Sequence, residues 1–228
     1  MTYPMNHELP TPIGIFPLPL VVFPGEIRTL HIFEPRYLAL LQDIQAAGHK
    51  SFGIVLSIAS PIPAIPMITA VGTLCQVIQQ HPYLPDGSCD IEIQGVRRFK
   101  LGDTDPNTQP YLTSQVSYLE DDPDEDAPSG QLQEQLVAAL KTLLSLNTTD
   151  DTRVQQQMAS LALSETHSPL ALSFRVAKCF EHDPTVQQHF LELTSTRERL
   201  RLQLDTLNDL VQRTAAINQI EKAFQSAP

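Results

Sequence analysis

The sequence predicts an α+β protein: a small, partly closed β-barrel carrying one main helix, followed by a C-terminal α-helical bundle. Three observations predict it. Short apolar and alternating runs, separated by turn signals, fill the chain up to Leu119. An acidic, proline-bearing stretch at residues 121–130 then interrupts the hydrophobic pattern. Beyond it, apolar residues recur at helical spacing. The expected organisation is a barrel subdomain over 8–120, a linker over 121–130 and a helical subdomain over 131–226.

The strands come first. Ile13 to Leu18 and Ile27 to Ile32 are short apolar runs flanking Phe23-Pro24-Gly25-Glu26, a turn signal. Pro35 then fits the first position of a helix, where its missing N–H is not needed. Tyr37, Leu38, Leu41 and Ile44 follow at helical spacing, and Gly48 suits a left-handed stop. Phe52 to Ile58 reads as a buried strand. Ser60 to Pro66 is an apolar loop punctuated by prolines, which either covers the barrel or offers a contact surface.

Val71 to Gln80 and Cys89 to Leu101 predict a long hairpin, turned by Leu84-Pro85-Asp86-Gly87-Ser88. Cys89, Ile91 and Ile93 alternate with Asp90, Glu92 and Gln94, one set inward and the other outward. Gly95-Val96 breaks the phase, as a bulge would, and Phe99 and Leu101 resume the inward set. Arg98 and Lys100 share a face, read as solvated. Tyr111 to Leu119 is the last strand.

The helical half is predicted over Gln131–Leu146, Arg153–Leu163, Leu170–Phe180 and Ser195–Phe224. Pro169 and Pro184 mark helix starts. In the last helix Leu200, Leu204, Leu207 and Val211 form one stripe, continued by Ile217, Ile220 and Phe224. The stripe is read as bundle packing, with a dimer seam as the alternative.

Composition narrows the classes. A hydrophobic fraction of 42% suits a folded globular chain. No apolar run approaches the roughly 20 residues that span a bilayer, and Met1 to Pro12 lacks the features of a secretory signal, so a cytoplasmic protein with no membrane contact is expected. Cys75, Cys89 and Cys179 are widely spaced and read as small buried apolar residues rather than disulfides or metal ligands. The net charge of -11 disfavours nucleic-acid binding.

Four segments, in order and spacing, resemble the substrate-binding domain family of the Lon protease. They are Ile15-Phe16-Pro17-Leu18 through Val21-Val22-Phe23-Pro24-Gly25; Leu30-His31-Ile32-Phe33-Glu34-Pro35-Arg36-Tyr37; Val71-Gly72-Thr73 with Leu84-Pro85-Asp86-Gly87 and Ile93-Gln94-Gly95-Val96-Arg97-Arg98-Phe99; and Pro110-Tyr111-Leu112. Thr196-Arg197-Glu198-Arg199-Leu200 extends the likeness into the helical half. The resemblance implies a barrel of the pseudouridine-synthase-associated (PUA-like) type followed by a bundle, and recognition of protein substrates. The Pro-Ile-Pro-Ala-Ile-Pro loop departs from it in being more apolar.

No catalytic residue is identified. The nine glycines include no G-x-x-x-x-G-K-[ST] phosphate loop. The chain also lacks G-x-S-x-G and H-E-x-x-H. The expectation is therefore a non-enzymatic module with no cofactor and no metal. It would bind unfolded or extended polypeptide and act as an adaptor or regulator in protein quality control, with a separate protease as partner. A homodimer through the C-terminal helix is a further expectation. The candidate substrate-binding residues are Glu34, Arg36, Tyr37, Ile62, Ile65, Tyr83 and Leu84. Phe33 and Tyr37 are expected to pack the helix on the barrel, Glu34 to pair with Arg36 or Arg28, and His31 to be a core or strand-face histidine. A hydrolase with an unrecognised site and an RNA-binding PUA-like protein are the alternatives.

Overall fold

The structure is a computed structural model describing residues 11–58, 67–123, 129–146, 168–180 and 182–225, without the side chains of 129 and 221–225. The chain divides into two compact units, Met1–Glu120 and Asp121–Pro228. The first contains β1 (Ile13–Leu18), β2 (Ile27–Ile32), α1 (Pro35–Ala46), β3 (Ser51–Ile58), β4 (Met67–Gln80), β5 (Cys89–Asp105) and β6 (Leu112–Tyr118). The second contains α2 (Ser129–Leu146), α3 (Pro169–Lys178), α4 (Pro184–Glu192) and α5 (Thr196–Gln225). The predicted helix over Arg153–Leu163 and the loop over 60–66 lie outside the described residues.

The six strands form one sheet in the order β2-β5-β4-β3-β1-β6, and β6 also pairs with β5. Five strands therefore make a closed cycle of pairings. The length of β5 permits this. Residues 89–94 pair with β2, whereas Phe99 to Asp105 pair with β6. The bulge expected at Gly95-Val96 is present, since Cys75 pairs with Gly95 and Leu74 with Arg97. Gly95 is required for a second reason. A Cβ there would lie 2.2 Å from the carbonyl oxygen of Phe23, where the 23–26 turn crosses the strand.

The main core of this unit gathers alternate strand residues and one face of α1: Phe16, Leu30, Ile32, Tyr37, Leu40, Leu41, Ile44, Phe52, Ile91 and Ile93. Pro35 occupies the first turn of α1 as predicted, and Gly48 has φ of 75° just past its end. Two readings need correction. Arg98 is 2% exposed, because the bulge turns it toward the interior while Lys100 stays outside. Phe33 does not pack against the core, being 65% exposed.

In the second unit α2, α3 and α5 share a core of Leu136, Leu140, Leu143, Leu172, Val176, Leu200 and Leu207. Capping sets the helix starts. The Ser168 hydroxyl accepts from Ala171 N–H, and the Asp183 carboxylate accepts from Thr185 and Val186 N–H. Arg199 is fully buried. It donates to the carbonyls of Phe190 and Leu193, to Ser173 Oγ and to Asp121 Oδ1, with Phe174 4.3 Å from its guanidinium carbon. The first residues of the acidic stretch thus make specific polar contacts with the second unit. Asp122 is also fixed, by its backbone to Thr194 at 3.1 Å and by the Thr194 hydroxyl at 3.0 Å.

Candidate functional site

The candidate site is β2 and the corner that follows it. Among the described residues β2 pairs on one side alone, with β5. Gly95 N–H donates to the Glu26 carbonyl at 2.8 Å, which sets the phase of the ladder. Antiparallel alternation then turns the backbone groups of Arg28, Leu30 and Ile32 toward β5 and those of Ile27, Thr29 and His31 outward. Side chains follow the same parity. Leu30 and Ile32 are buried, while Ile27, Thr29 and His31 are exposed.

β2 runs directly into Phe33. His31 and Phe33 stack with ring centroids 5.9 Å apart. His31 Nδ1 lies 2.7 Å from Asp90 Oδ1 on β5, so the strand-face reading of this histidine holds. Ile32 pairs with Cys89, which brings the end of β2 beside the β4–β5 turn. That turn exposes Tyr83 and Leu84. It is closed by Leu84 N–H to the Ser88 carbonyl at 2.7 Å, with Gly87 at φ of 84°. Hydrogen bonds from the Ser88 hydroxyl and amide hold the Asp86 carboxyl below its usual range.

On the other flank, Arg36 donates to Glu34 Oε2 at 2.6 and 2.9 Å, and Arg28 pairs with Glu26. The Arg36 guanidinium sits 4.8 Å over the Tyr37 ring, whose other neighbour is Phe16 at 3.7 Å. Burial raises the Tyr37 phenol, opposed by Arg36 and reinforced by Glu34. A pocket of about 250 Å³ lies nearby, between the last turns of α1 and the end of β4, lined by Leu41, Ile44, Lys50 and Val77 among others.

The structure therefore places Glu34 and Arg36 together at the start of α1, and Tyr83 and Leu84 on the hairpin at the end of the sheet where β2 finishes. Tyr37 lies beneath Arg36 as part of the core. Ile62 and Ile65 lie outside the described residues. Sequence reasoning missed Phe33 as a surface residue. The signal existed: Ile32 is an inward position, so period two sends the next side chain outward. It also left open which strand of the sheet lies at an edge, because strand order joins distant segments. The arrangement offers backbone donors and acceptors, exposed apolar rings and paired surface charges, which is the chemistry of holding an extended chain.

Comparison with known proteins points to one family. The family model described as the ATP-dependent protease La (LON) substrate-binding domain matches residues 13–209. The Lon protease of Flavobacterium johnsoniae is 30% identical over 125 residues, spanning 53% of this chain and 15% of that protein. The Lon protease of Cytophaga hutchinsonii is 29% identical over 119 residues, 51% of this chain and 14% of that protein. The matched region is thus a small part of those relatives. Among solved structures, the Lon N-terminal domain protein from Xanthomonas campestris superposes with a TM-score of 0.61 at 24% identity, covering 86% of this chain and 98% of that one. The N-terminal domain of Mycobacterium avium complex Lon protease gives 0.57 at 17% identity, with the same coverage. These two show the fold.

Proposed function

The chain belongs to the ATP-dependent protease La (LON) substrate-binding domain family, and on that premise we propose that it binds extended or partly unfolded polypeptide. The observation that carries the reading is the open edge of β2 leading into exposed Phe33. An incoming segment adds as a strand to the outward backbone groups of Ile27, Thr29 and His31. Backbone hydrogen bonds need no fixed sequence, which suits a reader of many clients. Phe33, Tyr83 and Leu84 take apolar side chains of the segment. Glu34 and Arg36 form a charged rim, and Tyr37 positions Arg36 from below. In this reading the closed cycle of strand pairings is a PUA-like barrel over 8–120, 121–130 is the link, and the helices over 131–226 are a bundle.

The test is fluorescence anisotropy with a labelled, permanently unfolded polypeptide and a folded protein as control. Saturable binding of the unfolded chain alone is expected. Thr29→Pro removes an outward N–H without touching the β2–β5 ladder, and should abolish that binding. Unaltered binding by a folded Thr29→Pro variant would remove β2 from the reading.

An adaptor or regulatory role in proteolysis is the finer proposal, in the cytoplasm and without chemistry of its own. Crosslinking followed by capture should then recover a protease together with unfolded clients. A second copy is also proposed as a partner through α5, because Leu210, Ile217 and Ile220 are exposed along it at heptad-compatible positions. Light scattering that finds only monomer at high concentration would eliminate this.

A further inference from the structure

The exposed face beside the open edge has a charge. Thr29 pairs with Glu92 and His31 with Asp90 in the β2–β5 register, so these four side chains share that face. His31 is engaged by Asp90 at 2.7 Å. Glu92, half-buried, has no ionic or hydrogen-bond partner among the described residues. The cations nearest along β2 and α1 are committed elsewhere, Arg28 to Glu26 and Arg36 to Glu34.

We propose that Glu92, reached across Thr29, makes the β2 edge selective for extended segments with lysine or arginine on the outward face; this rests on the edge-binding reading above. Adjacent strands lie about 4.8 Å apart, so an added strand stands roughly two spacings from β5. A short side chain cannot cross that gap. A lysine or arginine opposite Thr29 can, because its stem lies over the small threonine while its cationic head meets the carboxylate. A glutamate at the same place meets Glu92 as a like charge. The opposite face of the added strand lies on the Leu30 and Ile32 side, where apolar residues are favoured. The selected segment therefore carries its basic side chain opposite Thr29, with apolar side chains on its other face and at the end that meets Phe33.

The test uses three labelled peptides in which valine alternates with lysine, threonine or glutamate. Anisotropy should rank them lysine, threonine, glutamate. Glu92→Gln should weaken the lysine peptide about two- to five-fold, the range of an exposed ion pair. Asp103→Asn removes the same charge far along β5 and should leave the ranking intact. A preference that Asp103→Asn reduces equally would overturn the proposal, because attraction to the acidic chain as a whole would then explain it. Equal affinity for all three peptides, with Thr29→Pro abolishing binding, would overturn the charge selection and leave the edge reading standing. Failure of every peptide to bind or to protect the Ile27, Thr29 and His31 amides from exchange would remove both.

Discussion

Replacing Phe33 by alanine and, separately, Tyr37 by alanine separates binding from stability at two rings on the same corner. Phe33 is 65% exposed and stacks on the His31 ring. Its loss should change unfolding free energy by no more than about 0.5 kcal/mol. Tyr37 is 5% exposed, stacks on Phe16 at 3.7 Å and lies in the main core. Truncating it removes a buried ring and leaves a cavity, at about 3–4 kcal/mol. The binding effects run the other way. A phenyl ring covered by a client contributes roughly 2 kcal/mol of apolar burial, so Phe33→Ala should weaken capture of unfolded polypeptide by about tenfold or more. Urea denaturation followed by circular dichroism reads stability, and anisotropy reads binding. A Phe33→Ala protein as destabilised as Tyr37→Ala, or one that binds as tightly as the parent, would refute the assignment of these rings.

Three further outcomes follow from the same geometry. Asp121→Ala strips the carboxylate from fully buried Arg199, and should lower the stability of the helical unit by about 2–3 kcal/mol, less than the usual loss at a buried pair because carbonyl acceptors remain; a urea midpoint equal to that of the parent would contradict it. Cys75, Cys89 and Cys179 are all buried, and burial pushes the Cys75 thiol well above its usual range, so none should react with a thiol reagent before unfolding; prompt labelling of the native protein would refute this. The Asp86 carboxyl titrates low because Ser88 bonds its charged form, so the turn's contribution is complete above the unfolded value and is lost as pH falls through the lower folded value. Amide shifts of Gly87 and Ser88 should therefore hold steady down to about pH 4 and move only below it, whereas Asp86→Ala should show the acid-form shifts at neutral pH.

Much of the local structure was legible because its causes are local. The alternation of Cys89, Ile91 and Ile93 with polar neighbours marked β5, and the Asp86-Gly87 pair marked its turn. Pro35, Pro169 and Pro184 marked three helix starts that the structure places in their first turns. At the candidate site, the Glu34–Arg36 pair and the exposed hairpin residues were also within reach, since they depend on neighbours a few positions away. The Gly95-Val96 bulge was visible, but its effect on Arg98 was not. One extra residue changes which side chain faces inward, and the partner strand decides where the extra residue sits.

The sequence by itself determined the periods, turns and caps, and through the ordered motifs around Phe33-Glu34-Pro35-Arg36 the family. Only the tertiary structure decided which surfaces remain available. Ile13 pairs with Ser114 and Thr29 with Glu92, across separations that no local period encodes. Those pairings close five strands on themselves and, among the described residues, leave β2 paired on one side alone. Packing within the second unit likewise sets Arg199 deep among carbonyls contributed by α4 and the turn after it. The physical reason is the same throughout. Periodicity fixes which face of an element is apolar, whereas the neighbour that covers that face, or leaves the strand edge bare, is chosen by packing the whole chain.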